Sequence, residues 1–585
     1  MSESDLLIDL IRDSIIGEDR ALQGPYGLRR VTYADYTASG RALEFIEDYI
    51  REQVLPLYAN THTETSGTGL QTTRFREEAR QIIHDAVSGT EDDIVLFCGS
   101  GATGAINKLV DILNIRVPAG LDDQYDLTAQ IPADDRPVVF IGPYEHHSNE
   151  LPWRESIADV VEIEEDANGC IDLEMLESKL REFDERPLKI GSFSAASNVT
   201  GIGSKTRATS VLLHEYGALS FWDFAAAGPY VNIEMEMDDD GPDGELAYKD
   251  AIFLSPHKFI GGPGTPGLLV VKKDLLDNRV PTVPGGGTVA YVNSEEHRYL
   301  EDPVHREEGG TPAIVESIRA GLVFQLKEAV GHEAIERRER DFIQRAIARW
   351  SDHPYIEILG NPDAWRLSIV SFVIQHDDWY LHHNFGVALL NDLFGVQARG
   401  GCSCAGPYGH RLLGIDMDTS HKFEREIVRG CEGIKPGWVR VNFNYFITET
   451  VFDYILDAVE FVAERGWELL PDYEFEPDSG RWYHRERRLE APHSIRDVSY
   501  DHGYPRYSES RATAPESELQ RYLQEAPRII ENARRRFQTL ELDQPELPDH
   551  FQNLRWFPLP HEALAELKGE AHEPGSGIPL NLGRH

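Results

Sequence analysis

Short apolar runs recur along the first half of the chain, each closed by glycine, proline or small polar residues, with stretches of helical spacing between them. Asp93 to Cys98, Val138 to Gly142, Ile190 to Ser194, Leu219 to Asp223, Ala251 to Leu254 and Leu268 to Val271 read as strands. Arg74 to Val87, Ala105 to Leu113, Leu173 to Phe183 and Ser210 to Tyr216 read as helices. Strands alternating with helices predict parallel pairing and an α/β layer structure. Ahead of this block stand an amphipathic helix, Leu6 to Ile16, a short strand, Arg30 to Asp35, and a helix, Ala42 to Val54. After it comes one long helical pattern, Ala313 to Trp350, then strand, helix, strand and helix at Arg366 to Gln375, Leu381 to Phe394, Trp438 to Asn444 and Thr450 to Arg465. That pattern predicts a smaller α+β domain.

Near residue 470 the character changes. Asp472 to Ser479 is acidic, Glu516 to Leu540 has helical spacing, and Glu570 to His585 is rich in glycine and proline and reads as disordered. The expected organisation is an N-terminal segment (1–40) packing with the small domain, a large domain (41–312), a small domain (313–470) and a C-terminal extension (471–585) without an assigned role.

Composition changes the picture in three ways. A chain of 585 residues is too long for one core, and about two to four domains are expected. The net charge of −43 argues against nucleic acid and anionic membranes. No apolar run is long enough to span a bilayer and the first residues lack a signal-peptide pattern, so a soluble cytoplasmic protein is expected. Basic residues comprise only 12 lysines beside 45 arginines, a balance suited to a salty cytoplasm. Five cysteines in so long a chain do not make a disulfide framework.

The candidate chemistry sits where strands end. Lys258, in Ser255-Pro-His257-Lys258, lies between two apolar runs; burial there lowers an ammonium's pKa and frees the amine as a nucleophile. A surface lysine on a hairpin turn is the plainer reading. Gly99-Ser-Gly-Ala-Thr-Gly104 ends a strand and opens a helix, a place for an anion held by backbone N–H groups and hydroxyls. His146-His147 follows another strand, Asp223 ends the next, where a helix cap is the alternative, and Asn198 ends a further one. Asn60 to Gly69 is a polar, glycine-bearing candidate binding loop. Cys402 and Cys404 share a glycine-flanked loop; they read as reactive thiols, as inert small residues, or as half of a zinc set with His410 and Cys431 at a spacing that fits no common pattern.

The order of these motifs, over roughly Tyr33 to Glu464, resembles the pyridoxal-phosphate enzymes of aminotransferase class V, fold type I, and among them the cysteine desulfurases and selenocysteine lyases. The resemblance implies a mainly parallel seven-stranded sheet, pyridoxal 5'-phosphate as cofactor, and Lys258 as its Schiff-base lysine. It places the phosphate ligands on Ala102, Thr103, Ser255 and His257, the ring-stacking histidine on His146, the pyridinium partner on Asp223, and Asn198 beside the phenolic oxygen. Gly310-Thr311-Pro312 matches a segment that reaches the phosphate from a second subunit, implying a homodimer. Asn60 and His62 match a segment at the substrate entrance.

Two further matches narrow the reaction. Arg399-Gly-Gly-Cys-Ser-Cys404-Ala405 is similar to the desulfurase Arg-x-Gly-x-x-Cys-Ala pattern, with Cys404 as nucleophile, and Arg440 falls on the arginine that grips the substrate α-carboxylate. The implied substrate is L-cysteine, with a sulfur-acceptor protein as a further partner. Ala226 stands where many desulfurases carry glutamine, and the Cys-x-Cys pattern and Asp-x-Ala-Ala run are also similar to the desulfurase-like domain of molybdenum cofactor sulfurases. A cysteine C–S lyase, an aminotransferase and a non-catalytic sulfur-delivery scaffold are the alternatives. Every matched motif precedes residue 470, so removal of the extension is expected to spare cofactor binding.

Overall fold

In a computed structural model the described residues are 2–61, 63–236, 241, 243–488, 490–508, 511–545 and 547–570; His62, the C-terminal tail expected to be disordered and part of the acidic loop at 234–245 lie outside them. The chain divides into two compact units: residues 1–16, 36–340 and 363–368 form the first, and 17–35, 341–362 and 369–585 the second.

The first unit is built on a seven-stranded sheet. Its strands are β1 (Asp93–Cys98), β2 (Val138–Ile141), β3 (Asp159–Glu162), β4 (Lys189–Ser194), β5 (Leu219–Asp223), β6 (Ala251–Leu254) and β7 (Gly267–Lys272), in the spatial order β1-β7-β6-β5-β4-β2-β3. Pairing is parallel from β6 through β3, while β7 is antiparallel to both β1 and β6. β2 and β6 are buried along their whole length and read as unbroken apolar runs, and β1 and β7 are buried except at their last residue. Half-buried β3 lacks such a run and escapes the hydrophobic pattern. Leu96, Ile106, Val139, Ile190, Phe221, Phe253 and Leu269 join one core between the sheet and its helices.

Three helical expectations need correction. The helix placed at Arg74 begins at Gly67, because the Ser66 hydroxyl in the polar loop accepts from the Gly69 N–H at 3.2 Å and caps it. The helix placed at Ala105 begins at Gly101. The long pattern from Ala313 is two helices, Ile314–Val330 and His332–Trp350, separated at Gly331, whose φ of 84° no helical residue adopts. A Cβ on Gly321 would lie 2.6 Å from that of Ala79, so glycine lets Ile314–Val330 approach Gly67–Ala86 closely.

The second unit centres on the antiparallel strands β8 (Ile356–Ile358), β9 (Ile369–His376), β10 (Arg399–Gly401) and β11 (Trp438–Asn442), ordered β8-β9-β11-β10. The extension, whose removal is expected to spare cofactor binding, contributes to this unit's core. Along its helix Leu519–Phe537, Leu519, Tyr522, Ala526, Ile530, Ala533 and Phe537 are all buried. Arg29 lies over the Tyr522 ring at 4.6 Å and pairs with Glu525 at 3.2 Å. Farther on, the Trp556 indole N–H donates to the Ile434 carbonyl at 3.0 Å and its ring stacks on His382 and His383. Cutting the chain near 475 therefore removes packing from the second unit, whereas the lysine and phosphate-loop candidates belong to the first. Among the described residues no helix is long and apolar enough to cross a membrane.

Trp556 is 1% exposed. Trp556→Ala is expected to lower unfolding stability by about 3–5 kcal/mol, read from denaturant midpoints. Burial holds His382 well below the ordinary 6.5 and, with Lys435 adding to it, lowers His383 to about 3. Both are neutral in the fold and gain protons on unfolding, so stability is full above about 6.5 and falls as pH drops toward 3. A denaturant midpoint that stays constant from neutral pH to about 4 would contradict this.

Candidate functional site

The carboxyl ends of parallel strands converge on one edge of the first unit's sheet, where open α/β sheets receive ligands. β1 runs into Gly99-Ser-Gly101, β2 into the turn before His146, β4 into the loop carrying Asn198, β5 ends on Asp223, and β6 delivers Ser255, His257 and Lys258. The residues singled out along this part of the sequence share that edge.

The helix Gly101–Ile112 has no side-chain cap from Ser100, and the Ala102 N–H donates to the Ser255 hydroxyl at 2.9 Å. Gly101 has a φ of 56°, and a Cβ there would come within 2.7 Å of Ser255 Oγ and 2.9 Å of His257 Cε1. Thr103 Oγ1 lies 2.6 Å from Ser148 Oγ, linking the helix start to the helix His147–Arg154. His257 is half-buried, and desolvation, with the Lys258 cation beside it, lowers its imidazole to about 4. A neutral imidazole, a hydroxyl and a helix N-terminus form a cradle suited to a phosphate.

His146 caps its helix: its Nδ1 accepts from the Ser148 N–H at 3.1 Å, so in the neutral ring the proton is on Nε2. Asp223 is buried, its Oδ1 accepting from the Ala225 N–H at 2.8 Å. This bond closes a turn rather than capping a helix, since the residues after Asp223 form none. Burial pushes its pKa up, and the Lys258 cation works in the opposite direction. Lys258 itself ends a short turn, Pro256–Lys258, and is half-buried. Asn198 is buried in a turn whose Ser197 hydroxyl accepts from the Val199 and Thr200 N–H groups at 3.1 and 3.2 Å. The donor set as a whole — anion cradle, buried carboxyl for a ring nitrogen, and primary amine for an aldehyde — fits pyridoxal phosphate.

Sequence reasoning gave Glu145 no role, though it opens Glu145-His-His-Ser-Asn149. Its buried carboxylate accepts from Asn149 Nδ2 at 2.7 Å, from the Ser194 N–H at 2.8 Å and from the Ser194 hydroxyl at 2.6 Å. It ties the turn bearing His146 to the end of β4. Burial first, and the nearby Asp223 charge last, raise its pKa to about 7, against its hydrogen bonds. Asn60 and Thr311 meet, the Asn60 amide donating to Thr311 Oγ1 at 3.3 Å in an exposed position.

The second unit carries the remaining candidates. Arg399 and Arg440 are direct cross-strand partners on β10 and β11. Between them lies Asp35, a residue the sequence reading passed over. Arg440 Nη2 donates to its Oδ1 at 3.0 Å, and Arg399 Nε donates to Oδ1 and Oδ2 at 3.2 and 3.0 Å. Past β10, Ser403 and Cys404 both take left-handed conformations, with φ of 51° and 57°, and Cys404 is exposed while Cys402 is half-buried. Cys402, Cys404, His410 and Cys431 do not gather as metal ligands; among the described residues, ligand atoms of His376, Asp377 and Glu566 lie within 4.8 Å of one another.

A model of the aminotransferase class-V family matches residues 32–415. A probable cysteine desulfurase of Halalkalibacterium halodurans is 27% identical over 385 residues, covering 64% of this chain and 84% of that protein. One of Staphylococcus aureus strain N315 is 25% identical over 387 residues, covering 65% and 84%. Among solved structures, the apo cysteine desulfurase of Thermococcus onnurineus NA1 aligns with a TM-score of 0.59 and 22% identity, over 74% of this chain and 95% of that one. A cysteine desulfurase from Escherichia coli aligns with a TM-score of 0.56 and 20% identity, over 79% and 99%. The two structural likenesses speak for the fold, fold type I, and the family match covers more than half of the sequence. The chain belongs to the aminotransferase class-V family, whose members depend on pyridoxal phosphate.

Proposed function

We propose that the protein is a cysteine desulfurase, converting L-cysteine to L-alanine and keeping the sulfur as a persulfide on Cys404. The observation that carries this reading is the exposed Cys404, on a left-handed loop just beyond Arg399, in a chain whose sheet edge assembles a phosphate cradle, a buried carboxyl and a lysine. The curated relatives named as probable cysteine desulfurases support it.

Ala102, Thr103, Ser255 and His257 would hold the phosphate, His146 would cover the ring, and Asn198 would lie beside the phenolic oxygen. When bound, the cofactor supplies a ring that accepts carbanion charge from the substrate Cα. Asp223 keeps a proton on the ring nitrogen. Lys258, the attachment point, takes the Cα proton with its amine once freed. Arg440 grips the substrate carboxylate through its planar fork, with Arg399 next to it. The Cys404 thiolate attacks the substrate sulfur; the S–S bond forms as the Cβ–S bond breaks, and its electron pair stays with the carbon, which takes up protons to give alanine. Asn60 and His62 contribute at the substrate entrance, and Thr311, in the Gly310-Thr311-Pro312 segment, reaches the phosphate in the neighbouring protomer of a homodimer.

Purified protein given L-cysteine should form alanine, and mass spectrometry should show one added sulfur on Cys404. Cys404→Ser should stop alanine formation while keeping the visible absorbance of the lysine-bound cofactor, and Lys258→Ala should lose that absorbance. Arg440→Ala should weaken L-cysteine by about 2–3 kcal/mol, a charge-assisted bond lost. Pyruvate in place of alanine, with no sulfur on either cysteine, would make the protein a C–S lyase. A monomer in light scattering with full activity would remove the shared site.

A further inference from the structure

Two arginines that face each other across neighbouring strands repel, and neither guanidinium can shed its proton. Arg440 is the more constrained, its side chain only 4% exposed. A buried, unpaired cation is costly, and Asp35 supplies the counter-charge to both.

The position of Asp35 is fixed from both sides. Thr32 and Tyr33 pair in parallel with Val396 and Gln397, just before Arg399. The Ala34 N–H donates to the Gln397 carbonyl at 3.0 Å, and the Ala34 carbonyl accepts from the Asn442 N–H at 3.1 Å, two residues past Arg440. The backbone that bears Asp35 is thus sewn to the strand ends bearing both arginines. A carboxylate mounted this way cannot drift from the guanidinium it orients.

We propose that Asp35 is a positioning residue for substrate binding: it orients the Arg440 fork and sets a negative charge against the two guanidinium groups that a substrate carboxylate would meet. The proposal deepens the desulfurase reading and rests on it for the identity of the carboxylate. With Asp35 in place, its carboxylate lowers the positive potential that an incoming anion meets at the two guanidinium groups. Without it, the cluster takes anions more tightly but with poorer orientation.

The test uses the full chain loaded with cofactor, and inorganic sulfate as the anion probe. Asp35→Asn keeps the size of the side chain and removes its charge. It should tighten sulfate binding in calorimetry by about tenfold, from the loss of a neighbouring anion. It should also lower kcat/KM for L-cysteine by about tenfold while leaving the cofactor's visible absorbance unchanged. Asp35→Glu, which restores the charge, should return sulfate binding to the wild-type level. Sulfate affinity unchanged in Asp35→Asn would overturn the proposal, whether or not activity falls, because a purely structural pair would leave anion affinity alone. Tighter sulfate binding with kcat/KM unaltered would overturn the orienting role. If the wild-type protein makes no product from L-cysteine, the desulfurase reading fails, yet the sulfate arm still decides whether Asp35 sets the charge of the cluster.

Discussion

The Ala102 amide and the Ser255 hydroxyl meet at 2.9 Å although they stand 153 residues apart in the chain. Much of the first unit is arranged so that this contact can form. The loop after β1 has to reach the loop after β6, yet β7 lies between those strands in the sheet. The crossing works only with glycine on both sides: a Cβ on Gly267 would stand 2.0 Å from the Gly101 carbonyl oxygen, and one on Gly101 would strike Ser255 and His257. Backbone thus approaches backbone, and the helix N-terminus is aimed between a hydroxyl and a neutral imidazole. Preorganised donors of this kind cost nothing to reorganise when an anion arrives.

Around that contact, burial tunes charge. Asp223 and Glu145 are both pushed upward by loss of solvent, though each accepts backbone or hydroxyl hydrogen bonds that favour its ionised form. Glu145 rises to about 7, and its partners Asn149 and Ser194 hold the turn that carries His146. In the second unit the same issue is solved by pairing: Arg440 and Arg399 share Asp35. With 45 arginines to 12 lysines, this chain relies on planar, permanently charged donors for such pairs.

The extension belongs to this economy of packing. Arg536 binds both Asp472 oxygens, Arg29 engages Tyr522 and Glu525, and Trp556 covers His382 and His383. Two adjacent neutral histidines under an indole are an acid-sensitive element inside a unit that also bears Cys402 and Cys404.

The sequence by itself determined what local pattern can specify. β5 and β6 carry the boundaries expected, and β6, buried at every position, is apolar throughout. The residues that follow such strands were legible as site candidates, since that edge of a parallel sheet is open to ligands. Only the tertiary structure decided that β7 runs antiparallel, that Ser66 starts a helix inside a polar loop, that Gly331 divides one helical pattern into two, and that the extension completes a core. The same holds for Glu145 and Asp35. Their partners, Ser194 at a separation of 49 residues, and Arg399 and Arg440 at 364 and 405, are remote in the chain. A carboxylate's surroundings are made of such remote neighbours, and no local spacing encodes which of them folding will bring within reach.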